Sequence, residues 1–223
     1  NGAEWEKLIL GEKALTTEHF INGTAGAVWM LDRRLLSGLE IQRWQEQTPK
    51  HWSVPGNITR DPNESWVDGL VRTDENNMES LLLTTTPAGL ITFSENTGWQ
   101  RFSFRQAQTG LKITGLTPYY DSVLFSTTSG IFRFDGEALF SANEFNSRLP
   151  DTELLGVTWE QNGPMEERSL WIIGREWIQQ IRQDTRRTYK VDFPQRSWDY
   201  ASVISDQNGC LFILLKYLGE IFQ

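Results

Sequence analysis

The 223 residues are 39% hydrophobic and 22% charged with ten Trp, a globular composition that excludes wholesale disorder and is long enough for a sizeable core. Basic side chains number 21 against 29 acidic ones, and the resulting net charge of −8 argues against a nucleic-acid footprint. The longest apolar stretch, Cys210 to Leu215, has six residues, too few to span a bilayer, so membrane association is expected only through segments outside this chain. Cys210 stands alone, which rules out an internal disulfide framework. The opening Asn1-Gly2, without Met or an apolar leader, reads as a processed or excised piece.

In chain order, residues 4–10, with Trp5-Glu6-Lys7-Leu8-Ile9-Leu10, read first as an isolated outer strand. A unit of four short strand-like pieces then recurs five times. Each unit opens on a small residue followed by an aliphatic one: Ala14-Leu15, Gly69-Leu70, Gly115-Leu116, Gly156-Val157 and Ser202-Val203. A turn follows, rich in Asn, Asp or Gly, as at Ile21-Asn22-Gly23, Asp74 to Asn77 and Tyr119-Tyr120-Asp121. Such residues tolerate the positive φ of tight hairpins. Next comes an apolar run centred on Trp29, Leu82, Phe125, Trp171 and Phe212, spaced 53, 43, 46 and 41 residues apart. The third piece begins with Gly in four units of five, as in Gly130-Ile131-Phe132-Arg133-Phe134. Outer strands carry Trp52 and Trp99, while Trp66, Trp198 and Tyr217 are placed in loops. Alternation dominates throughout and helical periodicity is absent.

Four strands per unit, repeating every 41 to 55 residues, is the period of a β-propeller blade. Small residues suit innermost strands crowded around an axis, and the bulky second-strand residues are expected to fill the space between sheets. The expected fold is all-β: a five-bladed β-propeller of four-stranded antiparallel blades in a single domain, 1–223. The blades run over about 14–55, 67–106, 112–142, 153–193 and 200–223. Residues 4–10 would complete the last blade and close the ring, removing two exposed edges.

Residues 126–141 (Ser-Thr-Thr-Ser-Gly-Ile-Phe-Arg-Phe-Asp-Gly-Glu-Ala-Leu-Phe-Ser) and 150–177, from Pro150-Asp151-Thr152 to Leu170-Trp171-Ile172-Ile173-Gly174-Arg175-Glu176-Trp177, carry a recognisable pattern. It resembles the two-component-regulator type of propeller repeat, and Val203 to Ile213 is similar to its turn-and-strand half. The resemblance implies an extracytoplasmic sensor domain of a bacterial histidine kinase or diguanylate cyclase, periplasmic or extracellular, often part of a longer ring. Being chiefly a blade-folding motif, it speaks more to architecture than to function.

Catalytic constellations are scarce. His19 and His51 are separated and flanked by apolar residues, no nucleophile elbow or phosphate-cradling Gly loop is present, and the His and Cys are too few for a metal site. No cofactor, metal or catalytic residue is expected. Glu18, Asp68 and Glu153 lie near inner strands, so a glycosidase with paired carboxylates remains a third reading, behind a lectin-like carbohydrate binder that would stack sugars on exposed aromatics. The first reading is a non-catalytic module binding a ligand or partner. Its contacts are expected where second-to-third-strand turns converge: Arg33, Arg34, Thr85, Thr86, Thr127, Arg175, Lys216 and Tyr217. Four cations there, in a chain of net charge −8, favour an anionic small molecule or an acidic protein segment. The Pro55 to Trp66 insertion is the best candidate for a functional loop.

Overall fold

The computed structural model describes residues 17–32, 40–45, 48–58, 65–73, 78–86, 89–103, 111–160, 163–192, 200–205 and 211–216. They fall in two compact units, Asn1–Pro62 and Asn63–Gln223. The first holds one antiparallel sheet of β1 (Thr17–Asn22), β2 (Val28–Asp32), β3 (Glu40–Gln45) and β4 (Thr48–Ser53), hydrogen-bonded in chain order. Trp29 is buried and stacks on Trp52 with ring centroids 5.4 Å apart, and the Arg43 guanidinium lies 5.9 Å from the Trp29 ring. Beyond β4 the chain turns at Pro55, whose carbonyl accepts the Ile58 N–H at 2.9 Å while Ile58 itself is buried.

The second unit repeats the same meander. Its sheets are β5 (Ser65–Thr73), β6 (Glu79–Thr86), β7 (Gly89–Ser94) and β8 (Gly98–Ser103), then β9 (Ile113–Tyr119), β10 (Ser122–Thr127), β11 (Gly130–Phe134) and β12 (Leu139–Ser141). A third comprises β13 (Leu154–Trp159), β14 (Leu170–Gly174), β15 (Trp177–Arg182) and β16 (Thr185–Lys190), and β17 (Tyr200–Ser205) pairs with β18 (Leu211–Lys216). The four complete sheets are propeller-like blades. Sequence reading missed two short helical pieces, α1 (Asn143–Asn146) and a 3-10 turn at Met165–Glu167. Trp66 lies in β5, not in a loop: the strand extends two residues beyond an irregularity in its pairing. The 4–10 strand, the third piece of the last unit, Trp198 and Tyr217 lie outside the described residues.

Each inner strand, β1, β5, β9 and β13, breaks register once near its start, at Thr17/His19, Trp66/Asp68, opposite Ser126/Thr127 and at Leu154/Gly156. One extra residue there bends the strand. These breaks give an internal ruler. Gly115 and Gly156 follow it directly, but in the second sheet that place is taken by Asp68, with Gly69 one residue further. A hydroxyl marks the same place: Thr84 Oγ1 donates to the Asp68 carbonyl at 2.9 Å and Ser126 Oγ to the Gly115 carbonyl at 3.4 Å. By this ruler Trp29, Leu82 and Trp171 are equivalent to Leu124 rather than to Phe125.

That one-residue difference reverses the face. Phe125, with Val123, Phe132 and Phe134, packs toward Leu82 and Leu90 of the preceding sheet. Leu124 and Ile131 pack toward Leu154, Val157 and Ile172 of the following one. Ile213 packs on Leu155, Ile173 and Ile178, while its neighbour Phe212 is 60% exposed. Sequence reading assigned the inter-sheet contact of this pair to Phe212, but it is Ile213 that packs on the β13–β16 sheet.

Inner strands of adjacent sheets touch, β5 with β9, β9 with β13 and β13 with β17. A Cβ built on Gly115 would lie 3.2 Å from Ser126 Oγ, 3.5 Å from Val157 N and 3.6 Å from Gly156 Cα. A Cβ would press on the Ser126 hydroxyl of its own sheet and come into van der Waals contact with the backbone of the next inner strand. Two residues on, the Trp159 N–H donates to Thr117 Oγ1 at 2.9 Å, so a side chain of one inner strand satisfies the otherwise open edge of the next.

Candidate functional site

The turns joining second to third strands hold the residues singled out from sequence. Thr85 is buried at the end of β6, opposite Gly89. Thr86 follows it as the last residue of β6, paired with Ser65. Thr127 is also buried; its Oγ1 donates to the Gly130 carbonyl at 2.8 Å and accepts the Ser129 N–H at 3.0 Å. That hydroxyl shapes its own hairpin. Lys216 ends β18 opposite Tyr200, and Arg33, Arg34 and Tyr217 lie outside the described residues.

Arg175 is exposed on the β14–β15 turn, and its Nη2 donates to Glu153 Oε1 at 2.5 Å. The hydrogen bond from Arg175 holds the Glu153 carboxyl below its ordinary range; burial opposes this, and the charges of Arg175 and Lys112 add to the lowering. Lys112 is set at the start of β9 by reciprocal bonds: its N–H donates to Thr128 Oγ1 at 3.1 Å and its carbonyl accepts the Thr128 N–H at 3.0 Å. This patch therefore carries two cations around one carboxylate. The Asp68 carboxylate accepts the N–H of Gly69 at 2.8 Å, and His51 is exposed on β4 opposite Gln42. Among the described residues no group of three or more His, Cys, Asp or Glu could hold a metal ion.

A cavity of about 330 Å³ lies at the opposite strand ends, between the sheet β5–β8 and the β11–β12 turn. Cross-strand register explains its make-up. Arg72 pairs with Ser80 and Ser80 with Ser94, while Leu82 pairs with Thr92 and Thr92 with Gln100, so all six share one face of the sheet. Towards the β6–β7 turn that face is apolar and packs on the next sheet through Leu82 and Leu90. Towards the opposite strand ends it becomes polar and opens into the cavity, with Phe134 on the far side. Asp135 Oδ1 accepts the N–H groups of Glu137 and Ala138 at 2.9 and 2.8 Å, and these bonds hold its carboxyl below the usual range. The turn in turn places the Asp135 carbonyl 3.3 Å from Arg72 Nη1. Sequence reading missed Arg72, Gln100 and Glu137; the available signal was the Phe134-Asp135-Gly136-Glu137 turn, which it treated only as a folding motif.

No protein-family model matches the chain, and no curated protein matches it by sequence. Its fold is similar to solved structures. One is the extracellular domain of a candidate hybrid two-component system, BT4673, from B. thetaiotaomicron, at 12% identity and TM-score 0.58, over 92% of this chain and 26% of that one. A second structure of the BT4673 extracellular domain, there described as a one-component system, gives the same identity and TM-score over 93% of this chain and 26% of that one. Another is BBS1N in complex with ARL6DN, at 10% identity and TM-score 0.54, over 87% of this chain and 62% of that one. The chain thus spans about a quarter of the length of the BT4673 domain. At such identities the likeness is one of fold, and it agrees with the propeller-like blades. No helix among the described residues is long and apolar enough to cross a membrane.

The Arg175–Glu153 pair has a pH signature. Because the folded-state pKa of Glu153 is lowered, the stability it contributes is present above the unfolded value of about 4.3 and is lost as pH falls through the folded one. Both side chains are about 40% exposed (41% and 42%), so the pair is worth less than about 1 kcal/mol at pH 7. Urea unfolding of Glu153→Gln beside the unsubstituted protein should show a small gap at pH 7 that closes below about pH 4. A gap of constant size across that range would contradict the assignment.

Proposed function

We propose that this chain is a non-catalytic sensory module, the extracytoplasmic sensor part of a bacterial signalling receptor, which binds a ligand or partner segment on its blade scaffold. The observation that carries this reading is the likeness of 92% of the chain to the extracellular domain of a candidate two-component system. It is supported by the blade motif of residues 126–141 and 150–177. The carboxylates best placed for acid–base work are engaged structurally, Glu153 by Arg175 and Asp68 by the Gly69 N–H. The candidate contacts for an anionic small molecule or acidic segment under this reading are the second-to-third-strand turn residues Arg33, Arg34, Arg175 and Lys216.

Screening the purified chain against glycoside substrates and, by thermal shift, against small-molecule and glycan collections tests the reading. The expected result is saturable stabilisation by one ligand class without turnover. Hydrolysis of a glycoside that is lost on substituting Asp68 or Glu153 would overturn it in favour of an enzyme.

The finer architecture belongs to the same proposal: five blades, the last completed by residues 4–10. Five repeats of one strand order and the strand-like Trp5 to Leu10 segment support it. Deleting residues 1–10 should then expose blade edges and lower the melting temperature or cause aggregation. Unchanged thermal stability of the deletion variant would remove the closing strand from the account.

A further inference from the structure

The geometry points to the cavity between the β5–β8 sheet and the β11–β12 turn as a binding site for a zwitterion, specifically a free α-amino acid with an apolar side chain. Its volume, about 330 Å³, is at the small end of the roughly 300–1,000 Å³ range of small-molecule sites. Arg72 supplies a cation. One of its nitrogens, Nη1, donates to the Asp135 carbonyl, a neutral group that positions the guanidinium without neutralising it. Gly136, at φ +112°, keeps that position open, since a Cβ there would come within 3.1 Å of Arg72 Nη1.

The Asp135 carboxylate accepts the backbone N–H groups of Glu137 and Ala138 in its own turn through Oδ1. Glu137, exposed on the same turn and lining the same cavity, supplies the anion. The same lining holds the neutral donors and acceptors of Ser80, Thr92 and Gln100 and the apolar side chains of Leu82 and Phe134. A guanidinium binds a carboxylate with paired donors, a carboxylate accepts an ammonium, and the apolar wall receives an aliphatic side chain. A purely anionic ligand would leave Glu137 opposed to it, and a purely cationic one would meet Arg72. Only a molecule carrying both charges uses both residues.

This inference rests on the sensory reading above and assigns a ligand of its own to this cavity, at the strand ends opposite the second-to-third-strand turns. Isothermal titration of the whole chain with L-leucine is expected to show saturable binding at one site. 4-Methylpentanoate, which lacks the ammonium, and isoamylamine, which lacks the carboxylate, should each bind at least about tenfold more weakly, a difference of about 1.4 kcal/mol. Arg72→Gln and Glu137→Gln should each weaken L-leucine by a similar factor, with circular dichroism confirming the fold; Glu137 is exposed, so its variant reports even if Arg72→Gln folds poorly. Absence of saturable binding by L-leucine, or retention of affinity within threefold in Glu137→Gln, would overturn the proposal. Another ligand that binds equally well to Arg72→Gln would overturn it while leaving the sensory reading standing, whereas glycoside turnover removes the sensory reading whatever this cavity binds.

Discussion

The approach of β9 to β13 at Gly115 and Gly156 is the constraint on which the described blades of the second unit depend. A Cβ on Gly115 would sit 3.2 Å from Ser126 Oγ of its own sheet and 3.5–3.6 Å from the Gly156–Val157 backbone of β13. Because the backbones meet there, the Thr117 hydroxyl reaches the Trp159 N–H across the junction at 2.9 Å. The sheets then diverge outward, and the widening space is filled by larger side chains, Phe125, Phe132 and Phe134 on one side and Leu124, Ile131 and Trp177 on the other. Where the filling stops and the face of β5–β8 turns polar, a cavity remains. Site and core thus come from one sheet face read at two positions along its strands.

Strand identity was legible because it depends on alternation and turn residues, which are local. Residues 65–103, 113–141 and 154–190 each form a four-stranded antiparallel sheet. Register was less legible. Aromatic size suggested that Phe125 stands where Trp29, Leu82 and Trp171 do, but counted from the irregular residue near the start of β1, β5, β9 and β13 that place belongs to Leu124. In a period-two structure that reverses the direction of the side chain. In the last pair, whose register is unbroken, Phe212 is exposed and its neighbour Ile213 packs. No composition or spacing argument contains that information, because the extra residue leaves the apolar run intact.

The candidate site shows the same division. Turn location was readable, and Thr85, Thr127 and Arg175 do lie at second-to-third-strand turns. Their partners were not. Thr127 spends its hydroxyl on its own hairpin, and Arg175 meets Glu153, 22 residues away in sequence. The cavity was invisible for a related reason: Arg72 meets the Asp135 carbonyl only when two consecutive sheets are stacked, a contact across 63 residues. Pairings of that kind follow from sheet packing, not from motif.

The most direct test of this inner-strand constraint is the stability of Gly115→Val, measured by denaturant unfolding. Strand propensity alone favours valine over glycine, so a variant limited by local preference would gain stability. The structure predicts the opposite sign: branched carbons at position 115 would meet Ser126 and the backbone at Gly156–Val157, at a cost of about 1–3 kcal/mol typical of overpacking. Faster amide exchange in β9 and β13 should accompany the loss. A neutral or stabilised Gly115→Val would contradict the close approach of these two strands and the architecture built on it.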